Sequence, residues 1–121
     1  MKLAEIKKIL HCQTVSTLSD VDLDIDIQYA YASDLMSDVL RLPRRGALLL
    51  TGLTNSQVVR TCKVAASCAV IFVRGKKPSA DTVKLAAQHN VPILTTELCM
   101  FDACGILFTN GIKGISAKNK P

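Results

Sequence analysis

The 121-residue sequence predicts an α/β domain with three layers, a mainly parallel central sheet carrying helices on both faces. Three observations predict it. The apolar runs ALLL (47–50), AVIFV (69–73) and VPIL (91–94) do not alternate with polar residues, which marks strands buried on both faces. Segments of helical period lie between them. Two strand–helix units also share their punctuation: Gly52 and Ser56 follow one strand, Gly75 and Ser79 the next, with 23 residues between the glycines and between the serines.

In chain order, KLAEIKKIL (2–10) places Leu3, Ile6, Ile9 and Leu10 on one helical face. From Asp20 to Tyr31 the pattern is strictly alternating. Val21, Leu23, Ile25, Ile27, Tyr29 and Tyr31 oppose Asp20, Asp22, Asp24, Asp26 and Gln28, which predicts an amphipathic strand near a sheet edge with one acidic, solvated face. Its opening D-x-D-x-D is not a calcium loop, because the required glycine and glutamate positions hold Ile25 and Tyr31. SDLMSDVLRL (33–42) predicts a short helix with Ser33 as N-cap, ended by Pro43, and PRRG (43–46) predicts a turn. In the units that follow, Ser56 and Ser79 are read as helix caps. Val83, Ala86, Ala87 and Asn90 supply the stripe and boundary of one helix. Phe101, Cys104, Leu107 and Phe108 supply the stripe of the last, which Gly111 or Gly114 stops. Residues 1–114 are thus expected to form one domain, and 115–121 a basic, flexible tail.

Composition narrows the function. The hydrophobic share of 49% is high for a chain in which no apolar run approaches the ~18 residues that span a bilayer. The surplus predicts a doubly covered sheet or a subunit interface, and a homodimer is expected. The start MKLAEIKKIL mixes charges among apolar residues and reads as a helix, not a secretory leader, so a cytoplasmic location is expected. The net charge is +5, but Lys113, Lys118 and Lys120 supply three of these charges in a final stretch without acids. Nucleic-acid binding wants a continuous basic face, usually with stacking aromatics. With no Trp and 4% aromatic residues, it is not expected.

Five cysteines, Cys12, Cys62, Cys68, Cys99 and Cys104, read as reduced, small buried hydrophobes. None forms C-x-x-C, and Cys99 and Cys104, five apart on a helix, would be separated by about 140°. No metal or cofactor is expected. His11 and His89 have no triad-like neighbours in sequence, Cys104 lacks a nearby base, and Glu97 and Asp102 read as helix surface. No catalytic residue is assigned.

The strand ends are the candidate site. In an open parallel sheet, ligands sit outside the carboxyl ends of the strands. Those ends hold Thr51, Gly52, Thr54 and Asn55, then Arg74, Gly75 and Lys76, then Thr95 and Thr96. Glycines permit close backbone approach, helix N-termini offer free N–H groups, and the cations and hydroxyls suit a phosphate or carboxylate. The same residues also serve as ordinary strand–helix punctuation. No G-x-G-x-x-G occurs, and the stretch from Gly46 to Gly52 lacks the Lys-Ser/Thr of a P-loop.

Taken together, LLLTGLTNSQVVRT (48–61) and AVIFVRGKKPSADTVKLAAQHNVPILTTELCMFDACGIL (69–107) resemble the DRTGG domain family in a stand-alone form. That family is similar in fold to the N-terminal domain of HPr kinase/phosphorylase. The likeness covers most of the chain and is strongest from Ala47 to Leu107. The sequence departs from the family's naming residues. Leu53, Thr54 and Asn55 stand at the Asp-Arg-Thr positions, and Arg74 stands where the first Gly would be, before Gly75. This leaves Arg74 as a substitute contact from the neighbouring strand. The resemblance implies a regulatory or accessory module without the separate P-loop domain that carries kinase chemistry; the strand-end residues, and not the resemblance, point to an anionic metabolite or nucleotide as its ligand. It also implies an alternative, a domain that docks a partner enzyme in anaerobic, hydrogenase-associated redox metabolism.

Overall fold

The uninterrupted apolar runs become strands because the chain can enclose them from both sides. In the computed structural model, which describes residues 1–15, 18–41 and 43–116, Leu48–Leu50, Ala69–Phe72 and Ile93–Leu94 have no solvent exposure. The elements are α1 (Leu3–Ile9), β1 (Gln13–Thr14), α2 (Asp20–Leu23), β2 (Tyr29–Ala32), α3 (Met36–Arg41), β3 (Leu48–Thr51), α4 (Gln57–Ala65), β4 (Ala69–Phe72), α5 (Ala80–Gln88), β5 (Ile93–Thr95), α6 (Met100–Thr109) and β6 (Lys113–Gly114). They build a six-stranded sheet in the order β1-β5-β4-β3-β2-β6. Only β1 runs antiparallel, pairing Gln13 with Thr95 and Thr14 with Leu94. The architecture is the three-layer α/β fold that the sequence predicts.

Alternating residues of each strand feed two cores. Leu48, Leu50, Ile71 and Leu94 pack with Leu3, Ile6, Leu10, Ala103 and Leu107, so α1 and α6 cover one face. Leu49, Val70, Phe72 and Ile93 pack with Val39, Val58, Val59, Cys62 and Ala86, so α3, α4 and α5 cover the other. Each large apolar side chain removed from water contributes roughly 1.5–3 kcal/mol. From β2 to β5 every strand lies beside its predecessor, with its helix on the second face. After β5, α6 crosses the first face and delivers β6 to the far edge, where Tyr29 pairs with Lys113 and Ala30 with Gly114. No helix among the described residues is long and apolar enough to cross a membrane.

Local expectations fail at four places, each for a visible reason. The strand expected from Asp20 to Tyr31 survives only as Tyr29–Ala32, while Asp20–Leu23 form a helix. Ser19 and Asp22 close a capping box, Ser19 Oγ accepting from the Asp22 N–H and Asp22 Oδ2 from the Ser19 N–H. Such a cap outweighs a period-two pattern, and carboxylates favour a helix N-terminus. Ser33 does not cap the next helix, which begins at Met36; its Oγ accepts from the Leu35 N–H in a local turn. Leu42, the expected last residue of that helix, lies outside the described residues. Ser56 is already in helical conformation and makes no side-chain cap. Asn55 Oδ1 accepts from the Gln57 N–H instead, whereas Ser79 does cap α5 through the Thr82 N–H. Finally, the stripe of α6 divides: Leu107 is buried, but Phe101 and Phe108 are exposed. The core-facing positions are Ala103 and Leu107, and α6 ends at Thr109, before Gly111. Beyond it, β6 had no signal in the alternation or in the apolar runs. Of the expected tail, residues 117–121 lie outside the described residues.

Candidate functional site

The parallel register brings the nominated strand ends together. Thr51 is level with Phe72, and Phe72 with Thr95, so β3, β4 and β5 finish on one rim. The helices after β4 and β5 leave toward opposite faces, which makes the β4–β5 gap the switch point where open α/β sheets take ligands.

This gap is closed by the protein's own groups. The Arg74 N–H donates to the Leu98 carbonyl at 2.8 Å and the Gly75 N–H to the Thr96 carbonyl at 2.9 Å. Thr96 is buried, and its hydroxyl donates to the Leu10 carbonyl at 2.7 Å. A Cβ on Gly75 would come within 2.5 Å of Glu97 Oε2, so the Glu97 carboxylate lies against this glycine. Thr95 remains half-buried and is paired with Gln13.

On the β3 side an internal carboxylate occupies the amide. Asp34, two residues past β2, accepts from the Gly52 N–H at 2.6 Å and from the Thr51 hydroxyl at 3.1 Å. Arg74 approaches it at 3.9 Å, and a Cβ on Gly52 would stand 2.6 Å from Arg74 Nη2. Gly52 is therefore small so that the guanidinium can lie over it. Arg74 achieves this from a left-handed backbone (φ +61°), followed by Gly75 at φ +66°. The Lys76 N–H closes the turn onto the Val73 carbonyl. A non-glycine residue in this conformation costs roughly 1–2 kcal/mol. Thr54 contributes its carbonyl to the Thr82 hydroxyl, Asn55 caps α4, and Lys76 is exposed. The rim thus gathers Thr51, Gly52 and Arg74 around one carboxylate, and Gly75 and Thr96 around the β4–β5 closure. It leaves Thr54, Asn55, Lys76 and Thr95 outside both clusters.

Asp34 and Glu97 are not among the nominated residues, and Glu97, read from sequence as helix surface, lies in the bend between β5 and α6 because that helix begins only at Met100. An acid directly after a strand, at Ser33-Asp34, is the signal available in the sequence, and the pattern of a helix start at the same place masks it.

A second region has the opposite character. A groove of about 610 Å³ runs along the β2–β6 edge between α3 and α6. Phe101, Cys104 and Phe108 form its α6 wall, Val39 and Arg41 its α3 wall, and Ala30–Ala32 with Leu50 its floor. Phe101 is 85% exposed and Phe108 73%. Lys113 and Asp38 are among its polar margins. Burial, together with the neighbouring Cys99, pushes the Cys104 thiol above its ordinary value. Burial drives Cys12 up to about 11 and Cys62 and Cys68 up to about 12, with Cys68 adding to the rise at Cys62, against the pull of Lys7 on Cys12 and of hydrogen bonds at the other two. Such thiols stay protonated and unreactive at neutral pH. Among the described residues, no three His, Cys, Asp or Glu side chains gather as a metal site.

No protein-family model matches the chain, and no curated protein matches it.

Proposed function

We propose that this domain is a non-catalytic accessory module that works by protein–protein contact through the α6 side of the edge groove. One observation carries the reading: two of the three phenylalanines of the chain stand in solvent on a single helix, bordering a large apolar groove. Monomeric proteins rarely leave a contiguous apolar patch without a use. Aromatic side chains anchored beside a pocket are the residues on which interfaces concentrate their energy. The likeness to DRTGG domains fits an accessory role of this kind, with a redox enzyme as one candidate partner.

The test is photo-crosslinking in cells, with a benzoylphenylalanine placed at Phe108 or, as a control, at Val64. Val64 is equally exposed but sits on α4, across the sheet. Crosslinked product at Phe108 and none at Val64 is expected. No product at Phe108, or equal product at both, would remove the support for this surface.

The arrangement around Asp34 favours a second reading, an anion site at the rim. The Gly52 amide and Arg74 already hold a carboxylate, and an external phosphate would have to displace it. Thermal shift against nucleotides and phosphorylated metabolites tests this, since a ligand raises stability by RT ln(1 + [L]/Kd). Asp34→Asn should enlarge the response and Arg74→Ala abolish it. A flat response in the native chain and in Asp34→Asn sinks the reading.

A further inference from the structure

We infer that the partner of the α6 surface is a second copy of this chain, its α6 packed antiparallel on the first about a two-fold axis between Cys104 and Gly105. The inference rests on the reading of α6 as the contact face.

Phe101 and Phe108 are seven residues apart, two helical turns, or about 10.5 Å along the axis on one face. Cys104 and Gly105 lie at their midpoint. A two-fold there sets Phe101 of each copy opposite Phe108 of the other, so one patch is its own complement, as an isologous dimer requires. The centre of the patch is small. Nothing lies within 4 Å of the position a Cβ on Gly105 would take, so the helices have room to approach closely between the rings.

Charge agrees with this direction. Asp102 is exposed in the first turn of α6, and Lys113 is exposed just beyond its last turn. Antiparallel pairing carries the Asp102 carboxylate of one copy toward the C-terminal end of the other helix, the end beyond which Lys113 follows in the chain, twice by symmetry. Parallel pairing would set like ends together. Area sets the scale. At 85% and 73% exposure the two rings offer about 300 Å² per copy, more than a third of the roughly 800 Å² that a standard interface buries on each side. The groove margins that flank the rings, Cys104, Arg41 and Lys113 among them, would add to it. Pairing would also give each groove an outer wall built from the other copy's α6.

Sedimentation equilibrium of the purified chain tests the proposal. A dimer is expected in the micromolar range. Phe101→Glu and Phe108→Glu should each weaken it roughly thirtyfold or more, as interface hot spots do, while circular dichroism stays native. Asp102→Lys alone should weaken it about two- to fivefold, and adding Lys113→Asp should restore it. That rescue is specific to the antiparallel register. Benzoylphenylalanine at Phe108 should give a product of twice the chain mass in the purified protein. A chain that remains monomeric at 100 µM would overturn the inference, as would a dimer indifferent to both Phe→Glu variants. A Phe108 crosslink to a foreign protein only would overturn self-pairing and leave the contact-face reading standing; no crosslink at all would sink both.

Discussion

The strand-end rim and the edge groove differ in how completely the chain satisfies itself. At the rim, three polar groups that could receive a ligand already have an internal counterpart: Asp34 for the Gly52 amide, the Thr96 carbonyl for the Gly75 amide, the Leu10 carbonyl for the Thr96 hydroxyl. At the groove, Phe101 and Phe108 have none. A satisfied polar cluster resists opening, because each group parted from its bond must find another. An exposed aromatic pair gains by being covered. Residue chemistry alone favours the rim as a binding site; residue chemistry together with occupancy favours the groove.

Four measurements would break or sharpen this contrast. The largest effect separates the phenylalanines. Phe72→Ala empties a fully buried position and should cost about 3–5 kcal/mol in urea unfolding. Phe101→Ala and Phe108→Ala, in dilute protein, should stay within about 0.5 kcal/mol of the native chain. A large loss at Phe101 or Phe108 would mean that α6 uses them for folding.

Alkaline pH should act next, and through the cores. Burial raises Cys12, Cys62 and Cys68 from 9.0 to about 11, 12 and 12. The unfolded chain therefore releases these protons first, so stability is whole below about pH 9 and falls as pH rises toward 12. Cys62→Ala should flatten the slope of stability against pH in that interval. An unchanged slope would place the alkaline sensitivity elsewhere.

Third, Thr96→Val removes the donor to the Leu10 carbonyl and should cost about 1–3 kcal/mol, for a buried acceptor left unpaired. A negligible cost would show the closure at the rim to be looser than its geometry. The smallest effect belongs to Arg74→Gly. Relief of the left-handed backbone offsets the added freedom of the unfolded chain, and the exposed pair with Asp34 is worth about 0–1 kcal/mol. The net change in thermal midpoint should be within the equivalent of about 1 kcal/mol; a larger loss would give the rim a structural weight it does not otherwise show.

Much of the fold was legible because the signals were one-dimensional. Unbroken apolar runs located β3, β4 and β5, and helical periods located α4, α5 and α6. What misled was competition between local rules. The alternation from Asp20 to Tyr31 is real, yet Ser19 and Asp22 settle its first half by capping a helix. Ser56 and Ser79 look equivalent in sequence, but Asn55 takes the capping position in the first unit. The site was legible as a location and not as a state. Parallel register, which the runs imply, gathers Thr51, Arg74 and Thr95 on one rim. That Asp34 fills the Gly52 amide from a different loop is a fact of three dimensions. The same holds for Phe101 and Phe108. Their spacing says that they share a face, and only the positions of Ala103 and Leu107 decide that the face looks outward.

The short strand β6 has a kinetic corollary. Its partner β2 comes from the first third of the chain, so this pairing and that of β1 with β5 close the two longest loops in the sheet, whereas β2 to β5 pair with near neighbours. The β6 margin of the edge groove, Lys113 and Gly114, comes into being only when β6 pairs with β2. On a partly refolded chain the aromatic face of α6 would lack that margin, and any assembly that uses it would have to wait for this long-range pairing.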